Sequence, residues 1–313
     1  MISIKKYNPE NKLSWNEFIK NSKNGTFLLD RNFMDYHSDR FIDFSLMFYE
    51  NEELLAVLPA SLHENEVRSH GGLTYGGIIT NQNMKQHKMN DCFLLLRDYL
   101  KEQNVRKVVY KRVPYIYYNY PSDEDLYALF LNNAKLVRCD ISTSILLDDR
   151  IPFNERRRRN VKKSLKEGIE FRQTFDFETY MQILETVLRT KYNKSSVHTS
   201  EEITLLAHKF PDNIKLYAAY KLESMIAGVI IFETSTVAHA QYIASSDEGK
   251  EFGALDLIFD KLINEVYSDK KYFDFGISTE NNGMHLNEGL INQKQEFGGR
   301  GIAYEFYDLP IME

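Results

Sequence analysis

The order of β-hairpin, helix and strand occurs twice along the 313 residues, and this repeat constrains the fold more than any other feature. In the first half, apolar runs at residues 44–49 and 54–62 flank a short polar turn, as the two strands of a hairpin do. Residues 214–220 and 226–231 form the corresponding pair in the second half. An apolar stripe at helical spacing and then a strand pattern follow each pair. The repeat predicts an α+β fold of two similar tandem units, each a mixed central sheet flanked by helices.

Length and composition agree with this division. A chain of 313 residues is expected to form about two domains, which we place at residues 1–150 and 151–313. Hydrophobic residues make up 43% and charged residues 27% of the chain, so collagen-like and broadly disordered classes are excluded. No apolar run approaches the ~20 residues of a membrane-spanning helix, and the first residues carry no secretion signal. We therefore expect a cytoplasmic protein without a membrane span.

Several functional classes are disfavoured by residue usage. Cys92 and Cys139 form no CxxC motif, and we expect two small buried side chains rather than a disulfide or a metal site. HExxH, GxxxxGK[ST] and GxSxG motifs are missing, which argues against a metalloprotease, an NTPase and a serine hydrolase. The net charge of −6 argues against wholesale nucleic-acid binding, including DNA, so any anion site is expected to be local. The 20 Tyr and 20 Phe are expected in the core, in a ligand cleft or in contacts within a homo-oligomer.

A cationic helix is predicted between the two halves. Residues 154–168 contain four Arg and three Lys but a single apolar pair at i, i+4. Four cations recur at i, i+3, i+4 and i+7, which places them on one side of a helix: Arg159, Lys162, Lys163 and Lys166. In a chain of net negative charge, such a stripe suits the phosphate groups of a ligand. The alternative is a solvated face that balances the acidic remainder of the chain.

A glycine-bearing loop follows the strand pattern at residues 237–245 and leads directly into the amphipathic helix of the second half. Backbone N–H groups at a helix start can hold a pyrophosphate, and glycine lets a ligand approach closely. The candidate donor-binding positions here are Ser246, Gly249, Gly253 and Ala254. An ordinary helix start is the alternative, because the acidic side chains of this loop oppose an anion.

Polar residues crowd around the strand pattern at residues 272–277 and the segment that follows it. Four of them are candidate catalytic residues: Asp274, Glu280, His285 and Lys294. Buried polar groups need partners, so packing alone rarely gathers so many at one strand end. His285, Glu280 or His239 can take a proton from a reacting amine, although His239 can also be a hydrogen-bonded residue inside the sheet. Asp274 is either paired and buried or directed into the site.

The order of elements over residues 214–308 resembles the acyltransferase half of the GNAT superfamily. More narrowly, the duplicated unit, the basic helix, the strand 273–276 and the ending from Lys294 to Gly298 are similar to the FemAB-like branch with tandem GNAT-type domains. This resemblance implies either an acyl-CoA-dependent N-acyltransferase or an aminoacyl-tRNA-dependent peptidoglycan bridge ligase. It also implies that Lys294 stands where the peptide-ligating members carry a functional lysine.

We therefore expect a transferase that moves an acyl group, most simply acetyl from acetyl-CoA, to an amine of a cell-envelope or sugar precursor, without a metal. Arg159 and Lys162 would contact the phosphates of the donor, together with the loop at residues 246–254. The partners expected are a small-molecule or glycan-precursor acceptor, and tRNA only for the ligase alternative. A non-catalytic sugar-binding module, with the tyrosines of residues 115–120 as a stacking platform, is the third hypothesis.

Overall fold

The computed structural model describes residues 1–311, which fall into two compact units. Unit 1 contains residues 1–141, 279–285 and 303–311, and unit 2 contains residues 142–278 and 286–302. Among the described residues, no helix combines the length and the apolar character needed to cross a membrane. The division into domains at residues 1–150 and 151–313 stays a prediction.

Both units contain β-strands and α-helices. The strands are β1 (Ile2–Lys6), β2 (Ile42–Asp43), β3 (Leu46–Glu50), β4 (Glu53–Leu58), β5 (Ser61–His63), β6 (Glu66–Arg68), β7 (Ile79–Thr80), β8 (Lys107–Lys111), β9 (Lys135–Leu146), β10 (Glu170–Thr174), β11 (Ile214–Lys221), β12 (Ser224–Glu233), β13 (Val237–Ser245), β14 (Tyr272–Ile277), β15 (Thr279–Glu280), β16 (His285–Leu286) and β17 (Arg300–Pro310). The helices are α1 (Lys12–Lys20), α2 (Arg31–Met34), α3 (Gln86–Glu102), α4 (Glu124–Leu131), α5 (Glu155–Lys166), α6 (Phe177–Tyr192), α7 (Ser200–Lys209), α8 (Asp247–Phe252), α9 (Ala254–Lys261) and α10 (Glu288–Gln295). A π-helical turn, Leu262–Val266, continues α9.

In unit 1, a single long hairpin pairs β2 and β3 with β4 and β5. Asp43 lies opposite Ser61, and the same register continues to Leu46 opposite Leu58. Strand β1 pairs antiparallel with β3 on one side of the hairpin, and β6 pairs antiparallel with β5 on the other. Strand β6 also pairs parallel with β8, which follows α3 in the sequence. Three antiparallel steps are thus followed by one parallel step across a helix.

Unit 2 repeats this arrangement. Strands β10, β11, β12 and β13 pair antiparallel in that order, and β13 pairs parallel with β14, which follows α9. The strand directions and the position of the helix match those of unit 1, so the predicted duplication is confirmed. On its other side, β14 pairs antiparallel with residues 142–146 of β9.

The amphipathic stripe predicted for the second half is the face of α9 and its π-helical extension that enters the core. Ile258, Leu262 and Ile263 are fully buried there. The ring of Phe259 packs edge-on against Phe275, with centroids 4.9 Å apart. Burying a side chain of this size stabilises the fold by about 1.5–3 kcal/mol. The helical spacing therefore predicted both the element and its buried face.

The two cysteines are unpaired and differ in exposure. Cys92 is buried in α3, as expected, and burial raises the pKa of its thiol to about 12. Cys139 is exposed, so the expectation of burial was wrong for this residue. The reason is strand alternation, since β9 buries the neighbouring Asp140 and turns position 139 outward.

Candidate active site

The sheet of unit 2 has an apolar face and a polar face where β13, β14 and β9 lie side by side. Successive side chains of a strand point to opposite faces, so each strand divides its residues between them. The apolar face, which α9 covers, carries Ala238, Ala240, Phe273, Phe275 and Ile145. The opposite face carries His239, Asp274, Ser142 and Ser144. Three strands thus gather four polar side chains in one place.

Asp274 is the centre of this cluster. Its Oδ1 atom accepts hydrogen bonds from Ser142 Oγ at 2.7 Å and from Ser144 Oγ, and its Oδ2 atom accepts from His239 Nδ1 at 2.7 Å. The side chain has no exposed surface. Burial raises the pKa of Asp274, but the hydrogen bonds from His239 and the two serines outweigh burial, and the pKa lies below its ordinary value. The carboxyl group is therefore ionised and fixed in orientation.

This carboxylate sets the orientation and the tautomer of His239. Because an ionised Asp274 can only accept a hydrogen bond, Nδ1 of His239 carries the proton and Nε2 presents its lone pair. Nε2 has no hydrogen-bond partner among the side chains and backbone groups that the structure describes, and 13% of the His239 side chain is exposed. An oriented imidazole with a free nitrogen is suited to act as a general base.

A gap in the sheet begins beside this imidazole. Pairing between β13 and β14 ends at His239 and Asp274, although β13 continues to Ser245 and β14 to Ile277. Gln241 is an added residue of a β-bulge that shifts the register of β13 against β12. Bulges bend the strand that contains them, and the two strands part here. An extended ligand with amide groups can pair with the backbone of a strand exposed in this way.

Lys294 of α10 forms hydrogen bonds with the C-terminal end of β14. Its Nζ atom donates to the Gly276 carbonyl at 2.7 Å and to the Ile277 carbonyl at 2.8 Å, and its side chain is buried. Burial lowers the pKa of Lys294 to about 8, against the opposing effect of the Asp274 charge. Gly276 has a φ of +77°, and a Cβ built on it would lie 3.4 Å from His239 Cε1. Lys294 therefore fixes the irregular end of β14, which borders the imidazole.

The structure brings together two of the four predicted catalytic residues, Asp274 and Lys294. Glu280 in β15 and His285 in β16 are exposed and belong to unit 1, whereas Asp274 and Lys294 belong to unit 2. His239, considered only as an alternative base, is the histidine that contacts Asp274. Catalytic roles for Glu280 and His285 stay predictions.

The predicted donor loop is tightly packed. The hydroxyl of Ser246 caps α8, accepting from the Gly249 N–H at 3.1 Å and donating to the Ile226 carbonyl at 2.9 Å. Gly253, with a φ of +71°, faces α5, where an added Cβ would lie 3.0 Å from Asn160 Cβ. Ala254 is buried in the core. The two glycines provide close packing in this structure, and donor binding at these four positions stays a prediction.

Arg159 and Lys162 lie on the exposed face of α5, whose other face packs on α9. Since α9 covers the apolar face of the sheet, the structure does not bring these two cations together with His239. Their contact with a donor also stays a prediction.

A groove lies between α6 and the start of α8, on the same side of the sheet as His239. Tyr180 of α6 packs against Gly228 of β12, and Phe232, on that same face, lies opposite His239. The groove has a volume of about 460 Å³, and its lining includes Thr186, Thr190, Met225, Ser246 and Lys250. This volume is in the range of small-molecule sites.

Sequence reasoning missed Ser142 and Ser144. The run of small polar residues Ser142, Thr143 and Ser144 between Ile141 and Ile145 is a signal that polar side chains lie within this strand. It does not say which strand lies next to it. Their partner Asp274 is 130 residues away from Ser144 in the sequence.

Neither a family model nor a curated protein sequence matches the chain. Solved structures do match its fold. FemX is 11% identical with a TM-score of 0.68, over 98% of this chain and 97% of that one. L-PGS from Bacillus licheniformis is 11% identical with a TM-score of 0.61, over 96% and 91%. A tandem GNAT protein from the clavulanic acid biosynthesis pathway, solved without AcCoA, is 9% identical with a TM-score of 0.50, over 100% and 99%.

Identities this low show the fold alone. The structural matches and the duplicated strand order together confirm the GNAT-like fold that the resemblance implied. The chain has a GNAT-like fold of two tandem units, and FemX is among its structural relatives.

Proposed function

We propose that the chain transfers an acyl group to an amine, with His239 as general base and Asp274 as the residue that orients it. The observation that carries this proposal is the hydrogen bond from His239 Nδ1 to the buried Asp274 carboxylate, with Nε2 free at the edge of a gap in the sheet. The GNAT-like fold supports acyl transfer as the class of reaction.

The reaction needs few groups. The amine nitrogen attacks the acyl carbonyl carbon, the new C–N bond forms, and the carbonyl electron pair moves to oxygen. His239 Nε2 takes the proton that the nitrogen loses, and the Asp274 charge stabilises the resulting imidazolium. When the carbonyl re-forms, the bond to the leaving group breaks, and the imidazolium returns its proton to that group. The buried Lys294 ammonium is the candidate to stabilise the oxyanion.

Acyl-CoA, most simply acetyl-CoA, is the donor we propose first. The groove between α6 and α8 would hold its extended arm on the His239 side of the sheet, with Ser246 and Lys250 at the helix start. The lysine side chain can meet a phosphate, whereas Asp247 in the same groove opposes one. The acceptor we propose is an amine of a cell-envelope or sugar precursor.

Aminoacyl-tRNA is the second candidate donor. FemX matches nearly the whole of both chains with the highest of the three TM-scores given above, which favours a FemAB-type ligase. An aminoacyl ester needs the same base and the same oxyanion stabilisation as a thioester, so the site does not distinguish the two donors.

The sugar-binding alternative has weaker support. Ile116 and Tyr117 of the tyrosine-rich segment are buried, and Tyr117 Oη lies 3.0 Å from Tyr304 Oη. Tyr115 and Tyr120 of this segment are exposed.

The test is turnover with defined donors. The pure protein is incubated with acetyl-CoA, longer acyl-CoAs or charged tRNA, together with a panel of amino sugars and amine-bearing envelope precursors, and products are identified by mass spectrometry. We expect acylated amine, and a loss of roughly 10²–10⁴ in kcat/KM for His239→Asn. The matched control is His87→Asn, at an exposed histidine of α3. Turnover that survives His239→Asn unchanged would refute the assignment of the base.

A further inference from the structure

Helix α4 of unit 1 exposes apolar side chains to solvent. Its buried side includes Ala128 and Leu129, which belong to the hydrophobic core of unit 1. The exposed residues of the helix are Leu126, Tyr127, Phe130 and Leu131. They lie at i, i+1, i+4 and i+5, so they share one face of the helix. A surface helix normally directs polar side chains to solvent, and α4 does not.

A leucine of α3 extends this surface. Gln86 Nε2 of α3 donates to the Glu124 carbonyl of α4 at 2.9 Å. Arg97 Nη1 donates to Asn132 Oδ1, directly after α4, at 3.1 Å. One side of α3 therefore packs along α4. Leu94 lies three residues before Arg97 on that side and is exposed. We call Leu94 and the four exposed residues of α4 the α4 apolar face.

The duplication supplies an internal reference for this face. Helix α4 follows β8 and α10 follows β14, and these two strands are the ones that pair in parallel in their units. Both helices have eight residues. The exposed residues of α10 are Glu288, Gly289 and Asn292, and none of them is a large apolar residue. The fold therefore does not require an apolar exposed face on a helix at this position.

The area of the α4 apolar face matches the apolar core of a dimer interface. Phe130 is 74% exposed, and the other four residues are 36% to 57% exposed. Five side chains of this size, about half exposed on average, present apolar surface on the order of 500 Å². A stable interface buries about 800 Å² on each partner, of which roughly 60% is apolar. One such face on each of two copies meets that requirement.

The charges of α4 also suit contact with a second copy. Its two ionisable residues are already paired within the chain, Glu124 with Lys23 at 2.6 Å and Asp125 with Arg112 at 3.1 Å. A two-fold axis brings the same surface of both copies together, so a charged face would oppose like charges. The α4 apolar face has no charged member and can meet its own copy without that repulsion.

A second copy fits this face better than a lipid bilayer does. Helices that lie on a bilayer surface carry Lys and Arg on their polar side, which attract anionic lipids. Helix α4 contains neither Lys nor Arg. Its polar groups therefore give no attraction to an anionic membrane, whereas its apolar side chains need only another apolar surface.

We propose that the chain forms a two-fold symmetric homodimer through the α4 apolar face. The aromatic content of the sequence left contacts within a homo-oligomer as one possibility, and this face gives them a location. The proposal goes beyond the proposed function and does not depend on it, since the face belongs to unit 1 and His239 belongs to unit 2. A chain that transfers no acyl group can still form this dimer.

The experiment measures the mass of the full chain by sedimentation at concentrations from about 1 to 100 µM, the range in which a dimer of moderate affinity assembles. We expect the mass to rise from 36.8 kDa toward twice that value. Phe130→Glu places a charge in the centre of the interface and should raise the Kd of the dimer at least tenfold. Tyr127→Lys introduces the opposite charge on the same face and should have the same effect.

The matched control is Phe175→Glu, because Phe175 lies outside α4, in unit 2, and is 79% exposed. It changes the net charge as Phe130→Glu does and should leave the Kd of the dimer within twofold. Melting curves establish that each variant folds, and since two variants probe the face, either one decides the test if the other does not fold.

The proposal fails if the natural chain stays at 36.8 kDa over the whole range, or if the α4 variants dimerise as tightly as the control. It also fails if Phe175→Glu weakens the dimer as much as Phe130→Glu, because net charge would then explain both losses. A monomeric chain that binds phosphatidylglycerol vesicles, and loses this binding in Phe130→Glu, would assign the face to a membrane and overturn the dimer.

Discussion

His239 and Asp274 are the last residues at which β13 and β14 are in register, and a 2.7 Å hydrogen bond joins their side chains at that point. The hydrogen bond that orients the proposed base therefore lies where the pairing of β13 with β14 ends. The two strands part immediately beyond it, where β13 has the bulge at Gln241 and β14 has the positive φ of Gly276. A ligand that entered the gap would meet the free nitrogen of His239 at its inner end.

Asp274→Asn should remove most activity without abolishing folding. The amide keeps the size of the side chain but has no charge to stabilise an imidazolium, and it can hold His239 in the wrong tautomer. We expect kcat/KM to fall by roughly 10²–10⁴ in the acyl-transfer assay. Asp125→Asn is the control, because Asp125 is a buried carboxylate of unit 1 paired with Arg112. Equal losses in the two variants would show that the effect is structural.

Ser142→Ala should lower stability in a pH-dependent way. The serine donates a hydrogen bond to the ionised form of Asp274, and the pKa of Asp274 is lower in the folded chain than in the unfolded chain. The stability that this hydrogen bond contributes is therefore present above the unfolded pKa and is lost as pH falls through the folded pKa. We expect a loss of about 1.5–3 kcal/mol at pH 7, as for a hydrogen bond to a charged group, that shrinks below pH ~4. Urea unfolding at pH 3 to 7 measures it. Ser164→Ala removes a bond to a neutral carbonyl and should give a loss that does not vary with pH.

The fold could be predicted because its signals are local. Apolar residues such as Ile258, Leu262 and Ile263 recur at helical spacing, and the hairpins have polar turns between apolar runs. Each element can therefore be predicted from a window of about 20 residues. The duplication follows from their order alone. The sequence contains no comparable local pattern that shows which distant strands pair with each other.

The site was predicted in part for the same reason. Asp274 and Lys294 stand out because charged residues beside buried strands need partners. Which partners they find depends on β9, β13 and β14 becoming neighbours, and no local pattern shows that Ser144 or His239 will contact Asp274. His285 and Glu280 were chosen for their nearness to Asp274 in the sequence; both belong to unit 1, whereas Asp274 belongs to unit 2.

Lys294→Met should change how stability varies with alkaline pH. The ordinary pKa of 10.5 falls to about 8 on folding, because burial disfavours the ammonium. Between pH 8 and 10.5 the unfolded chain binds more protons at this group than the folded chain does, so stability rises with pH in that window. The free energy of unfolding of the natural chain should rise relative to Lys294→Met by on the order of 3 kcal/mol. A difference that stays constant from pH 8 to 10.5 would contradict this.

Gly253→Ala distinguishes packing from donor binding. The positive φ and the Asn160 contact at 3.0 Å predict a loss of about 1–3 kcal/mol in the free energy of unfolding. Gly289→Ala in α10, where the nearest atom is 3.8 Å away, should be neutral or stabilising. If Gly253 also contacts the donor, the affinity of the folded Gly253→Ala variant for acyl-CoA, measured by calorimetry, will fall as well.

Gly276→Ala tests whether the end of β14 shapes the reacting centre, and the chain supplies a matched control in Gly168→Ala. Both glycines have positive φ, +77° and +71°, so alanine should cost each variant about 1–2 kcal/mol in backbone strain. Nothing lies within 4 Å of a Cβ at Gly168, whereas a Cβ at Gly276 would lie 3.4 Å from His239 Cε1 and 4.0 Å from Nε2.

The added methyl group would therefore stand beside the nitrogen that takes the proton, where the amine must approach. We expect the two variants to lose similar stability in urea unfolding, and only Gly276→Ala to lose activity, by at least tenfold in kcat/KM. If the two variants keep equal activity, the amine does not approach His239 from the side of Gly276, and the reacting centre must lie on another edge of the imidazole.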